Sequence, residues 1–274
     1  MNCYDTFKEK HRKDIETCLA SINDEMFNDN IPFWEKRILD PEYPGYLICF
    51  DRRGNLTRDL KPGWFVGRTM YTFGLLYNEI EPREEWFQIM KSGREMIDTD
   101  FYYKNGRFNQ MLTRNLKVIN GPTSIFTDHF LIKGLYEYIK ALKKMGKDTR
   151  EECNLAADLT DQLFAHIKTK EVLEQENIPQ GMEKHPIYFL TLIVAIESKS
   201  IFGDRYQNVI DECIHKTMYE FANDEYKKLF EFIRNDGTPY LKGCGRIMDA
   251  GHSMESAWFA MREGIESKNS DYVR

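Results

Sequence analysis

Hydrophobic residues return along this chain at helical rather than strand spacing. Over residues 5–28, Phe7, Ile15, Cys18, Leu19, Ile22 and Met26 fall on one helical face. The same periodicity predicts helices over 64–77, from Pro82 to about 100, from Thr123 or Ser124 to about 145, and over 149–169, 186–200, 204–222 and 253–263. Pro82 suits a first helical turn, Thr123 and Ser124 are N-cap candidates, and Glu151 and Glu152 place negative charge at a helix start, where the backbone dipole favours it. Strand signals are few. The turns Asp51-Arg-Arg-Gly54, Lys104-Asn105-Gly106 and Asn235-Asp236-Gly237 predict hairpins between short extended pieces. No low-complexity linker divides the chain, so one all-α domain over 1–274 is expected, with about eight helices. Helix pairs separated by hairpin-bearing loops fit a toroid whose loops build a pocket at one rim. A plain multi-helix bundle or solenoid fits the periodicity as well.

Composition narrows the possible partners. Aromatic residues make up 14% of the chain, a surplus that serves either a large core or an aromatic-lined pocket. A net charge of −6 argues against a nucleic-acid binder, and the basic runs at Lys8 to Lys13 and Lys140 to Lys147 read as solvated helix faces. The N-terminus lacks a signal-peptide layout, and the apolar run 187–196 is too short for a bilayer, so no membrane partner is expected. Six scattered cysteines without ligand spacing suit a reduced, cytoplasmic protein and mark no metal site. There is no glycine-rich phosphate loop, Gly-x-Ser-x-Gly, His-Glu-x-x-His or dinucleotide fingerprint, so no cofactor is expected.

Three segments carry candidate chemistry. In Asp249-Ala-Gly-His252-Ser-Met-Glu255-Ser-Ala-Trp258, His252 sits at a helix start with Glu255 three residues on and Trp258 a turn further. A nearby carboxylate orients an imidazole, a helix start favours its neutral form, and an indole face stacks on a sugar ring. A solvated polar patch is the competing reading. In the aromatic helix following Lys61-Pro-Gly-Trp64, Arg68 is a permanent charge that needs either a salt-bridge partner or a ligand, and Trp64 is one turn away. In Lys184-His185-Pro186-Ile-Tyr188, capping or packing competes with a site role for His185 and Tyr188. His11, His166 and His215 read as surface residues, and His129 as a core or rim residue.

Taken together, Leu39-Asp-Pro-Glu-Tyr-Pro-Gly45-Tyr, Cys49-Phe-Asp51-Arg-Arg-Gly54, Trp64 to Asn78 and Gly251-His252-Ser-Met-Glu255-Ser-Ala-Trp258-Phe259 resemble the N-acylglucosamine 2-epimerase family, which includes cellobiose 2-epimerases and mannose-type isomerases. The resemblance implies an (α/α)6 barrel and inversion at C2 of an open-chain sugar, or aldose–ketose isomerisation, through an enediol-type intermediate. It implies that His252 is one of two acid/base histidines and that Arg68 meets the enolate oxygen. Glu255 then supports the sugar or the imidazole, Trp258 packs at the pocket, and Arg246 is a candidate for the rim. Tyr188 stands near a histidine position of cellobiose epimerases, which leans this chain towards N-acylglucosamine and N-acylmannosamine.

The family's second histidine lies beyond the Gly-His-x-x-Glu helix, in a segment this chain does not carry. The expectation is an incomplete barrel lacking roughly four helices, with exposed apolar faces, a homodimer or reduced stability, and impaired epimerisation. The alternatives are a cellobiose epimerase or mannose isomerase, and, outside enzymes, an inactive sugar-binding or interaction protein. A glycoside hydrolase needs two carboxylates across a cleft, and no such pair stands out.

Overall fold

The computed structural model describes residue 7 and residues 9–273; the first turn of the helix expected from residue 5 falls partly outside them. Among the described residues, eight long helices and one short one follow in order. Helix α1 spans Arg12–Asp24 and continues through a π turn, Glu25–Asn30, into Ile31–Glu35. It therefore outruns the expected end at residue 28. Helix α2 is Gly63–Leu75, prolonged by Leu76–Ile80; α3 is Glu84–Ile97; α4 is Ile125–Lys144. Then come α5 (Arg150–His166), the short α6 (Lys170–Gln175), α7 (His185–Phe202), α8 (Gln207–His215, prolonged by Lys216–Phe221) and α9 (Ala250–Glu266).

The boundaries follow local chemistry. Ser124 caps α4, its hydroxyl accepting from the Phe126 amide, and Asp249 caps α9 by accepting from the His252 amide. Thr169 ends the helix expected over 149–169 early, because its hydroxyl caps a new helix, α6, instead of continuing α5.

Alternate helices form two layers. The inner helices α2, α4, α7 and α9 pack on one another in that order, while α3 backs α2, α5 backs α4 and α8 backs α7. This is the helical-hairpin arrangement of an (α/α)6 fold, present as an arc. The helical run 185–221 is apolar and long enough by composition to cross a membrane. Within it, every residue of α7 from His185 to Ser198 is buried, so its hydrophobicity belongs to the centre of the fold. The contact between α2 and α4 depends on two glycines. A Cβ on Gly67 would collide with the backbone of Phe130 and Leu131, and one on Gly134 would meet Met70 and the Gly67 carbonyl.

At the two ends of the arc, Leu19, Ile22 and Met26 on α1 and Met254, Trp258, Met261 and Ile265 on α9 form exposed apolar stripes.

Short strands organise the loops. The three expected turns are present. β1 (Cys49–Phe50) pairs with β2 (Leu56–Arg58), and β4 (Tyr102–Lys104) pairs with β5 (Arg107–Phe108). Asn105 and Gly106 both have positive φ, the geometry that an Asn-Gly hairpin turn uses. The third turn closes by the Arg234 amide donating to the Thr238 carbonyl. Two further pairings join distant segments. β3 (Lys61–Pro62) pairs with β6 (Met111–Leu112), which also pairs with β7 (Val118–Asn120). β8 (Met182–Lys184) pairs antiparallel with β11 (Phe232–Arg234), and a local hairpin of β9 (Ala222–Asn223) and β10 (Lys228–Leu229) precedes β11.

Candidate active site

The four inner helices present their N-terminal turns to a cleft of about 230 Å³. Trp64 and Arg68 come from α2, Phe126 and Phe130 from α4, Pro186, Phe189 and Leu190 from α7, and His252 and Glu255 from α9. Lys184 enters from the end of β8, and Glu231 from the bend just before β11. Converging helix starts aim the positive ends of their dipoles at this space, which suits electron-rich oxygens. A larger, apolar groove of about 500 Å³ lies on the other side of Arg68, lined by Trp34, Phe65 and Phe73 among others.

His252 is held from two directions. Its amide donates to the Asp249 carboxylate at 3.0 Å, fixing the helix start. Its Nδ1 lies 3.1 and 3.2 Å from the carboxylate oxygens of Glu231. Glu231 is itself fixed by β8–β11 pairing beside it: the His185 amide donates to its carbonyl at 2.9 Å, and its own amide donates to the Ile247 carbonyl. Burial pushes the Glu231 carboxyl up, and the imidazole beside it pulls it back. With Nδ1–H directed at Glu231, the proton-free Nε2 is left without a protein partner among the described residues. Phe189 packs against the ring, with centroids 5.1 Å apart.

Arg68 forms the opposite wall. Its guanidinium lies 4.2 Å over the Phe130 ring and 5.2 Å from the centre of the Trp64 ring, and those two rings stack at 5.5 Å. No carboxylate comes within 4.0 Å of it among the described residues. Burial lowers its affinity for the proton, and Glu255 across the cleft raises it again. A guanidinium stays charged under these conditions. The salt-bridge reading of Arg68 therefore does not hold, and the charge faces the cleft with aromatic support only.

The remaining sequence candidates are placed elsewhere. Tyr188 lies against Phe221, its ring centroid 5.5 Å away, and lines a separate cavity with Ile167 and Leu173. The reason is helical phase: α7 turns Pro186, Phe189 and Leu190 to the cleft, and Tyr188 points away from that stripe. Trp258 is 54% exposed and outside the cleft lining. Each step of three along α9 rotates the face by about 60°, so His252 and Glu255 share the lining but Trp258 has turned past it. Arg246 is exposed on the short turn Gly243–Arg246, also outside the lining. Of the four expected binding residues, Trp64 alone joins the three expected catalytic ones. His129 is a core residue, its ring nitrogens 2.9 Å from the Ile125 carbonyl and 3.0 Å from the Thr191 hydroxyl. His185 is also buried, packed on Phe189 and Phe221, and burial pushes it down to about 3. Glu231, Phe130 and Phe189 are site residues that no local motif marks.

Residues 45–273 match the family model for N-acylglucosamine 2-epimerase (GlcNAc 2-epimerase). The N-acylglucosamine 2-epimerase of Rattus norvegicus is 24% identical over 270 residues, covering 94% of this chain and 62% of that protein. The mannose-6-phosphate isomerase of Rhizobium meliloti (strain 1021) is 23% identical over 247 residues, covering 89% of this chain and 63% of that one. The chain thus spans a little under two thirds of the length of these curated relatives. The crystal structure of a sugar epimerase from a ruminal bacterium shares the fold with a TM-score of 0.76 at 16% identity, covering 93% of this chain and 68% of that one. The chain belongs to the N-acylglucosamine 2-epimerase family.

Proposed function

We propose that the cleft binds the open-chain form of an N-acylhexosamine, N-acylglucosamine or N-acylmannosamine, and that His252 takes and returns the proton at C2. The observation that carries this reading is the pairing across one cleft of an imidazole oriented by Glu231 with an arginine that has no carboxylate partner. A neutral imidazole with a free Nε2 is the base this step requires. As the C2 proton moves to Nε2, the C2–H electron pair becomes a C1–C2 double bond and the carbonyl oxygen gains negative charge. Arg68 supplies a fixed positive group for that oxygen. Trp64, 36% exposed beside the cleft, offers an aromatic face to the sugar, and Glu255 offers an acceptor for its hydroxyls. Return of the proton from His252 restores the starting configuration, whereas inversion needs a donor on the opposite face of C2.

The similarity to the rat epimerase favours N-acylhexosamines over other sugars. Incubation with N-acetylmannosamine in deuterated water tests the reading. Deuterium is expected at C2. Sugar binding without any exchange would overturn it in favour of a non-catalytic sugar-binding protein.

A further inference from the structure

Lys184 lines the same cleft as His252, Glu231 and Arg68, and carries a charge that the proton transfer at C2 does not use. It closes β8, and the β8–β11 register sets it opposite Phe232, one residue from the carboxylate that orients His252. The His185 amide, next in sequence, donates to the Glu231 carbonyl at 2.9 Å, so the two backbones are held side by side. The Lys184 ammonium lies 5.7 Å from the centre of the Phe126 ring and 6.0 Å from that of Phe232. Its side chain is 20% exposed and that of Glu231 is 8% exposed, so little water screens one from the other.

Lys184 has a nearer carboxylate in Glu176, whose Oε2 is 3.8 Å away, and it donates to the Glu176 backbone carbonyl at 3.1 Å. That carboxylate is already compensated. Its Oε1 accepts from the Ser124 hydroxyl at 2.9 Å and from the Ile125 amide at 3.0 Å, at the positive end of α4. Glu231 has no such support, and among the described residues no Lys or Arg comes within 4.0 Å of it. The charged groups that face it are His252 and Asp249 from the start of α9 and Lys184 from β8. Arg68 and Glu255 line the same cleft, His185 is buried and neutral beside it, and Arg246, next to the Ile247 carbonyl that Glu231 bonds, is exposed to solvent. Burial and Asp249 work against a charge on Glu231, and His252 and Lys184 work for it.

We propose that Lys184 is a positioning residue for His252: its ammonium keeps the neighbouring Glu231 carboxylate negative, and that carboxylate holds the ring proton on Nδ1 with Nε2 open to the sugar. This deepens the reading of His252 as the base and rests on it for the use made of Nε2. A protonated Glu231 would become a donor. The imidazole would then answer with its Nδ1 lone pair, which puts the ring proton on Nε2 and closes the base.

Nuclear magnetic resonance of the sugar-free protein with 15N-labelled histidine tests this role. The ring nitrogens report protonation and tautomer, and the His252 signals are those missing from His252→Gln. Lys184→Gln keeps a donor for the Glu176 carbonyl and removes the charge. Loss of a cation favours a proton on either member of the His252–Glu231 pair. The pair is therefore expected to take up its proton at a pH higher by about half a pH unit or more. Lys184→Met, a second uncharged variant, should behave alike, whereas Lys184→Arg keeps the charge and should titrate within about 0.2 pH units of the wild type. An unchanged titration in the uncharged variants would overturn the proposal, as would an equal shift in Lys184→Arg, which would mean that packing and not charge is at work. The measurement needs no turnover, so the two readings separate. A shifted titration without deuterium exchange at C2 removes only the catalytic reading. Exchange with an unshifted titration removes only the role of Lys184.

Discussion

The Glu231 carboxylate lies 3.1 Å from Nδ1 of His252, across 21 residues of sequence. Because the carboxylate is an acceptor, it fixes the tautomer in which Nε2 carries the lone pair. Glu231→Gln keeps the shape but offers Nδ1 either a donor or an acceptor, so the tautomer is no longer dictated. Exchange at C2 is expected to fall by about 10²-fold or more, with sugar affinity changed much less. The ratio of exchange rate to affinity, measured on both proteins, checks this.

Arg68 makes no ion pair among the described residues, so its removal breaks no salt bridge there. Arg68→Met is expected to lower the exchange rate by about 10²- to 10³-fold, the cost of losing one oxyanion-stabilising group. Its thermal midpoint should stay close to that of the wild type. A large drop in midpoint would mean that the guanidinium holds the helices together rather than serving the cleft.

The loop before α2 depends on a buried ion cluster. Lys61 and Arg114 each approach the Asp40 carboxylate at 3.0 Å, and both the Lys61 and Asp40 side chains are fully buried. Burial alone would raise the Asp40 carboxyl, but bonds from Arg114, the Glu42 amide and Lys61 outweigh it and hold it at about 2. A carboxyl lowered on folding stabilises the fold at pH values above its unfolded value of about 3.9, and this contribution is lost as pH falls towards about 2. Asp40→Asn leaves Lys61 buried without a counter-charge and is expected to cost about 3–5 kcal/mol in urea unfolding at neutral pH. The variant should also lose less stability than the wild type between about pH 4 and pH 2.

Gly67 sets how closely α2 approaches α4, and with it the contact of Arg68 with Phe130. Gly67→Ala forces the Phe130–Leu131 backbone outward and is expected to destabilise by about 1–3 kcal/mol or more. Ala at Gly146, where a Cβ meets nothing within 4 Å but φ is +70°, tests conformational strain without the steric clash. The Gly67 variant should lose sugar affinity as well as stability, and the Gly146 variant stability alone.

The helices were legible because each buries a face with a 3.6-residue period, and α7 because it is apolar all round. The Ser124 cap of α4 and the hairpin turns are legible because Ser124, Asp51 to Gly54 and Asn105-Gly106 act on neighbours in sequence. The site was only half legible. His252 and Arg68 stand out as polar residues in conspicuous local settings. Glu231 does not, because its role comes from β11 pairing with β8, a contact across some fifty residues that no local pattern encodes. Trp258 and Tyr188 were misplaced for the converse reason. Spacing of three or four residues shows which side chains are near neighbours, and a rotation of 60° to 100° decides whether they share a pocket.

In the proposed reaction His252 is the group that removes the C2 proton. The most direct measurement is the loss of the C2 proton signal of N-acetylmannosamine in deuterated water, followed by NMR for the wild type and for His252→Gln at equal sugar occupancy. The wild type is expected to exchange, and the variant to be slower by about 10²- to 10⁴-fold while still binding the sugar. Exchange that proceeds at the wild-type rate in His252→Gln would mean that another group removes the C2 proton.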